Sequence, residues 1–147
     1  MVASSTTTSR DPRGAGYVPL WVKSHYSFLE GASSPEELVV QAQALGLGAL
    51  AMTDRDGVYG LVKAHIAARA QGLQLIAGAE LTLAHPGSHD ASQSEPSPLT
   101  RRAPLAVGSG QRTRVVALVH DREGYAQLCR LISVGQARAP KGQSLLH

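Results

Sequence analysis

The sequence predicts an α/β fold, and three observations carry that prediction. Apolar segments of strand character alternate with segments of helical periodicity. The helical segments carry start and stop residues at their ends. Polar and charged residues gather just after the strand segments, where α/β folds of parallel strands place their sites. The composition agrees: 147 residues, 43% hydrophobic and 17% charged, suit one ordinary globular domain. They exclude a wholly disordered, collagen-like or coiled-coil chain. With one Trp, one Phe and four Tyr, the core must come mainly from Leu, Val, Ile and Ala.

The elements follow in order. Residues 1–16 are rich in Ser and Thr with little to bury, and read as a flexible leader; the domain proper is expected at 17–147. Tyr17 to Lys23 is apolar and rich in β-formers, a first strand. A loop runs from Ser24 to Ser33. Ser34-Pro35-Glu36-Glu37 then opens a helix: Ser34 caps, Pro35 suits the first position and Glu37 completes a capping box. Leu38, Ala42 and Leu45 make its expected buried face, and Gly46 its left-handed stop. Ala49 to Thr53 is a short buried strand, followed by the turn Asp54-Arg55-Asp56-Gly57. A second helix is expected from Val58 to Gln71, with Leu61, Val62, His65, Ile66 and Ala70 inward and Gly72 closing it.

Leu75 to Leu83 is strand material interrupted by Gly78. Residues 84–113 turn to Pro, Ser, Gly and charge and read as a long, disordered insertion within the domain. Arg114 to His120 is the next strand. Asp121 caps a third helix, Arg122 to Val134, with Tyr125, Leu128, Cys129 and Ile132 on one face.

The net charge of +3 is divided unevenly. Residues 1–100 hold six basic and nine acidic side chains; residues 101–147 hold eight basic and two acidic. Arg101, Arg102, Arg112, Arg114, Arg130 and Arg138 are therefore nucleic-acid candidates, against the plainer reading of a solvated face. The scarcity of rings leaves such a binder to charge alone. Cys129 is the only cysteine, so no disulfide forms within the chain. No apolar run reaches the roughly 18 residues of a membrane helix, and the start lacks a signal-peptide core. The expectation is a cytoplasmic protein with no membrane partner.

Four ordered segments resemble a known family. Tyr17 to Ala32 (YVPLWVKSHYSFLEGA), Ala51 to Gly60 (AMTDRDGVYG) and Gly78 to Leu83 (GAELTL) resemble the first three motifs of PHP domains, the polymerase and histidinol phosphatase family. Val119 to Ser133 (VHDREGYAQLCRLIS) is similar to the PHP domain of bacterial C-family DNA polymerases of the polymerase III alpha type, nearest the error-prone, damage-tolerant branch. The resemblance implies a TIM-like, seven-stranded β/α barrel. About four strands are legible here, so it implies a partial barrel, from a truncated or split gene.

Active members hold two or three metal ions for phosphoester hydrolysis, on imidazoles and carboxylates. Residue by residue this chain departs from that pattern. The first motif is His-x-His in the family, and Trp21 and Lys23 stand there; Arg55 stands at the second-motif His. Indole offers no lone pair to a metal, ammonium repels one, and guanidinium does not deprotonate. Asp54, Asp56, Glu80 and, more loosely, Glu30 are the vestigial ligand candidates. The expectation is no bound metal, with Lys23 and Arg55 pairing with Glu80 or Asp54. Asp54 and Asp56 could also cap the second helix.

The implied function is that of a non-catalytic scaffold segment of an error-prone DNA polymerase. The parent would act in replication and repair, using magnesium, deoxynucleotides and DNA. This segment would need no cofactor, and its partner would be the rest of the polypeptide or a split-gene product. The alternatives are a free-standing metal-dependent PHP phosphoesterase, a weak basic nucleic-acid binder, and a non-functional fragment.

Overall fold

A computed structural model describes residues 16–84, 112–140, 143, 144 and 146. The leader at 1–15, most of the insertion and Arg101 and Arg102 lie outside the described residues. Helix α1 spans Pro35–Ala44, strand β1 Ala49–Met52, helix α2 Leu61–Gln71, strand β2 Gln74–Ala84, strand β3 Arg112–Leu118 and helix α3 Arg122–Ala137. The sheet order is β1-β2-β3.

The start of α1 forms as its sequence dictates. Ser34 Oγ accepts from Glu37 N, and the Glu37 carboxylate accepts from Ser34 N, completing the capping box. Gly46 and Gly72 follow α1 and α2 with φ of 71° and 67°. Asp121 caps α3 by accepting from Gly124 N at 2.8 Å.

Several expectations need correction. The Tyr17–Lys23 segment is no named strand. It touches the sheet through one parallel bridge, Val22 to Met52, and two backbone bonds, Ala51 N to Pro19 O and Thr53 N to Val22 O. Pro19 has no N–H to give back, which limits the ladder. The sheet is also not all parallel. β1 and β2 are parallel, but β2 and β3 run antiparallel, from Gly78 opposite Leu118 to Ala84 opposite Arg112. Parallel neighbours need a crossover, usually a helix, and the sequence between these two strands offers no helical pattern.

The inner faces of two helices also differ from expectation. α1 buries Pro35, Val39 and Ala42, while Leu45 is its exposed C-cap. α2 starts at Leu61, not Val58, and buries Leu61, Ala64 and Ala68. Val62, His65, Ile66 and Ala70 face solvent. Alanines at this spacing let α2 approach α1 and the sheet closely, and that close packing outweighs the bulk of Val62 and Ile66.

Two apolar clusters result, one on each side of Gly78 along β2. Val39, Ala42, Leu50, Met52, Leu61, Ala64, Ala68 and Leu73 join α1, α2 and β1. Ala79, Leu81, Leu128, Ile132 and Leu146 join β2, α3 and the C-terminal segment. Side chains alternate along a strand. With Ala79 and Leu81 turned to α3, Glu80 and Thr82 face the other side of the sheet. That side carries the polar cluster described next.

Candidate functional site

The site is built at the carboxyl end of β1 and midway along β2. Beyond β1 the chain keeps to the edge of β2: Glu80 N donates to Asp54 O, and Asp56 N donates to Glu80 O. This places Asp54, Arg55 and Asp56 beside Glu80. The loop from Ser24 to Ser33 folds over them. His25 N donates to Ser33 O, and Glu30 N and Gly31 N both donate to Ser27 O. A Cβ on Gly31 would lie 2.1 Å from the Ser24 carbonyl oxygen, so only glycine closes this loop. Leu29 holds a φ of 64°, a left-handed conformation that costs a branched residue about 1–2 kcal/mol. Glu30, its neighbour, thereby reaches the cluster.

At the centre is Glu80, with no exposed surface. Trp21 Nε1 donates to Oε2 at 2.8 Å, and Lys23 Nζ donates to Oε1 at 2.8 Å. Lys23 also pairs with Glu30, as does Arg55. Arg114 Nη1 stands 3.4 Å from both Glu30 Oε1 and Glu80 Oε1. Three cations thus meet two carboxylates. The Lys23 hydrogen bond, aided by the charges of Arg55 and Arg114, holds the Glu30 carboxyl below its ordinary value, against a smaller opposing effect of burial.

The two aspartates do different work from that expected. Asp54, 1% exposed, accepts from Ser24 N at 2.7 Å, Ser24 Oγ at 2.8 Å and Ser27 Oγ at 2.8 Å. It ties the Ser24–Ser33 loop to the end of β1. Asp56 accepts from Thr82 N and Thr82 Oγ1, both at 2.8 Å, and ties the same turn to β2. Neither caps α2, whose N-cap Gly60 makes no side-chain bond. Arg55 pairs with Glu30 rather than with Asp54 or Glu80, because the aspartate oxygens already hold hydroxyl and amide donors.

Trp21, Lys23, Glu30, Arg55 and Glu80 therefore come together; Asp54 and Asp56 adjoin them as anchors. No pattern in the sequence marks Ser24, Ser27 and Thr82 as partners of these aspartates. Arg114, a nucleic-acid candidate by charge, turns to the cluster. Arg112 shares its side of β3 by alternation, whereas Arg130 and Arg138 belong to α3 on the opposite side of the sheet. The described arginines therefore do not form one surface. His25 and His120 are exposed.

The fold and this cluster define the class. The chain belongs to the PHP domain family, whose profile matches residues 20–145. At the level of particular proteins it is similar to error-prone DNA polymerases. It is 47% identical over 117 residues to that of Anaeromyxobacter sp. (strain K), matching 80% of this chain and 8% of the relative. It is 42% identical over 131 residues to that of Bordetella parapertussis, matching 89% of this chain and 10% of the relative. The chain thus spans about a tenth of the curated relatives it matches. Among solved structures, an amidohydrolase from Chromobacterium violaceum, with bound sulfate and no metal, superposes with a TM-score of 0.53 at 24% identity. That match covers 82% of this chain and 34% of the other. It speaks for the α/β fold of PHP type; the described residues make three of its strands and no closed barrel. Among the described residues no helix is long and apolar enough to cross a membrane.

Proposed function

We propose that this chain is the PHP segment of an error-prone DNA polymerase, and that it acts as a scaffold in which fixed cations replace the metal ions of the hydrolytic members. The observation that carries the reading is the pairing of Glu80. Both of its carboxylate oxygens hold protein donors, the indole of Trp21 and the ammonium of Lys23.

The donor set does not fit a metal ion. A metal needs lone pairs, and the positions that supply imidazoles in the family supply indole, ammonium and guanidinium here. Among the described residues no three His, Cys, Asp or Glu side chains stand together as ligands would. An incoming cation would have to displace Lys23, Arg55 and Arg114 from Glu30 and Glu80. No hydrolytic step through a metal is therefore derived. The ion pairs join the first segment, the loop, the β1 turn, β2 and β3, which is a structural task.

In the parent polypeptide, magnesium-dependent addition of deoxynucleotides to DNA belongs to other domains, against which this one packs in the cytoplasm. The test is an assay of the 147-residue chain on a phosphodiester such as bis(p-nitrophenyl) phosphate with manganese or zinc. The reading expects no turnover above the metal-only blank. Turnover lost in Glu80→Ala would replace it with the phosphoesterase reading.

A further inference from the structure

Three of the chain's six aromatic residues, in a sequence poor in rings, line a single cleft. Tyr26, Phe28 and Tyr59 meet Arg55, Gln136 and Gln143 around a cavity of about 470 Å3. That volume is in the range of small-molecule sites. Phe28 is 75% exposed and Tyr59 60% exposed. Rings left this open forgo the gain of burial. The Tyr26 and Tyr59 rings are 6.5 Å apart between centroids. Gln136 Nε2 donates to Tyr59 Oη at 2.9 Å and to Asp56 O at 3.1 Å, which fixes the Tyr59 ring.

The cleft is distinct from the ion-pair cluster. Arg55 is common to both, but Trp21, Lys23, Glu30 and Glu80 do not line it. It opens beside the last turn of α3, to which Gln136 belongs. Its electrostatics are close to balanced. Arg55 is already engaged by Glu30, and the Asp56 carboxylate is taken up by Thr82. Such a cleft has little to hold a phosphate. It has ring faces for stacking and side-chain amides, the groups that pair with the edge of adenine.

We infer that this cleft binds a nucleobase, adenine best, carried either by a free nucleotide or by an unpaired position of a single strand. The binding is dominated by stacking on Phe28 and Tyr59, with Gln143 at the base edge. The inference goes beyond the scaffold reading and does not depend on it, since the cluster could hold or lack a metal without altering these rings.

The test is a calorimetric titration of the 147-residue chain with deoxyadenosine monophosphate and, separately, with a short oligo-dA. Saturable binding is expected with at least one probe. Phe28→Ala and Tyr59→Ala should each weaken it roughly tenfold, while Phe28→Trp retains it. Affinity should change by less than about threefold between 50 and 200 mM salt, because few counterions are released. Saturation by the mononucleotide identifies a nucleotide site; saturation by the oligomer alone identifies a strand site. Because Phe28 is mostly in solvent, its replacement leaves the fold in place, and near-ultraviolet circular dichroism checks this. Absence of saturable binding overturns the inference. So does oligomer binding that ignores Phe28→Ala and falls steeply with salt, which would assign it to scattered arginines.

Discussion

Glu80 shows what a buried charge demands of its neighbours. A carboxylate without solvent contact is stable only when its oxygens are matched, and Trp21 and Lys23 match them. Lys23→Met strips the nearer cation and leaves Glu80 with the indole and the Arg114 guanidinium at 3.4 Å; chemical denaturation should read a loss of about 3 kcal/mol. Trp21→Phe removes one charge-assisted bond and should cost about 2 kcal/mol in the same measurement. Glu30 adds a pH dependence of known sign. Its folded carboxyl is held below the ordinary 4.5, first by the Lys23 bond and then by Arg55 and Arg114. The unfolded chain therefore takes up this proton more readily than the folded one. The stabilisation is fully present above the unfolded value and drains away as pH falls through the lowered folded value. Urea midpoints measured on the descent below about pH 5 should fall less in Glu30→Gln than in the parent chain, which starts higher.

The Lys23–Glu80 pair was legible as residue chemistry. The choice of Glu30 by Arg55 was not. It depends on Ser24, Ser27 and Thr82 having already filled the aspartate oxygens, which only the folded loop reveals.

Helix ends were the most readable elements, because a cap is a local contract between a side chain and the next three amides. Ser34 and Asp121 act as their sequences announce. Ser34→Ala should lower stability by about 1 kcal/mol, read from thermal unfolding. Helix faces were less readable. Bulk pointed to Val62 and Ile66, but α2 buries Ala64 and Ala68, since the tight approach of α1 sets the register. Strand direction at β3 is set by its connection to β2, which has no helical pattern to carry a parallel crossover. The antiparallel pairing of β2 and β3 is close at Gly78, where a Cβ would lie 2.6 Å from the Ala117 carbonyl oxygen. Gly78→Ala should therefore push β3 outward, and amide exchange in Arg112–Leu118 should accelerate more than in α1.

At the scale of the molecule, the helices cover one side of the sheet and the ion-pair cluster ties the other. The cluster draws on five separate stretches of chain: the first segment, the loop over it, the β1 turn, β2 and β3. A bound metal would do the same joining with imidazoles. In the proposed scaffold, built-in cations do it without an ion from solution, and chelators should leave the fold unchanged. Fold class and family were legible because four ordered motifs keep their spacing. The closed barrel that the resemblance implies needs strands beyond the three described here.

The most direct measurement is metal stoichiometry. The folded chain, equilibrated with zinc or manganese and freed of excess ion, is analysed by inductively coupled plasma mass spectrometry. A variant carrying Trp21→His, Lys23→His and Arg55→His serves as the comparison. The account predicts well under one ion per parent chain and a clear gain in the variant. One or more ions per parent chain, lost on Glu80→Ala, would contradict it.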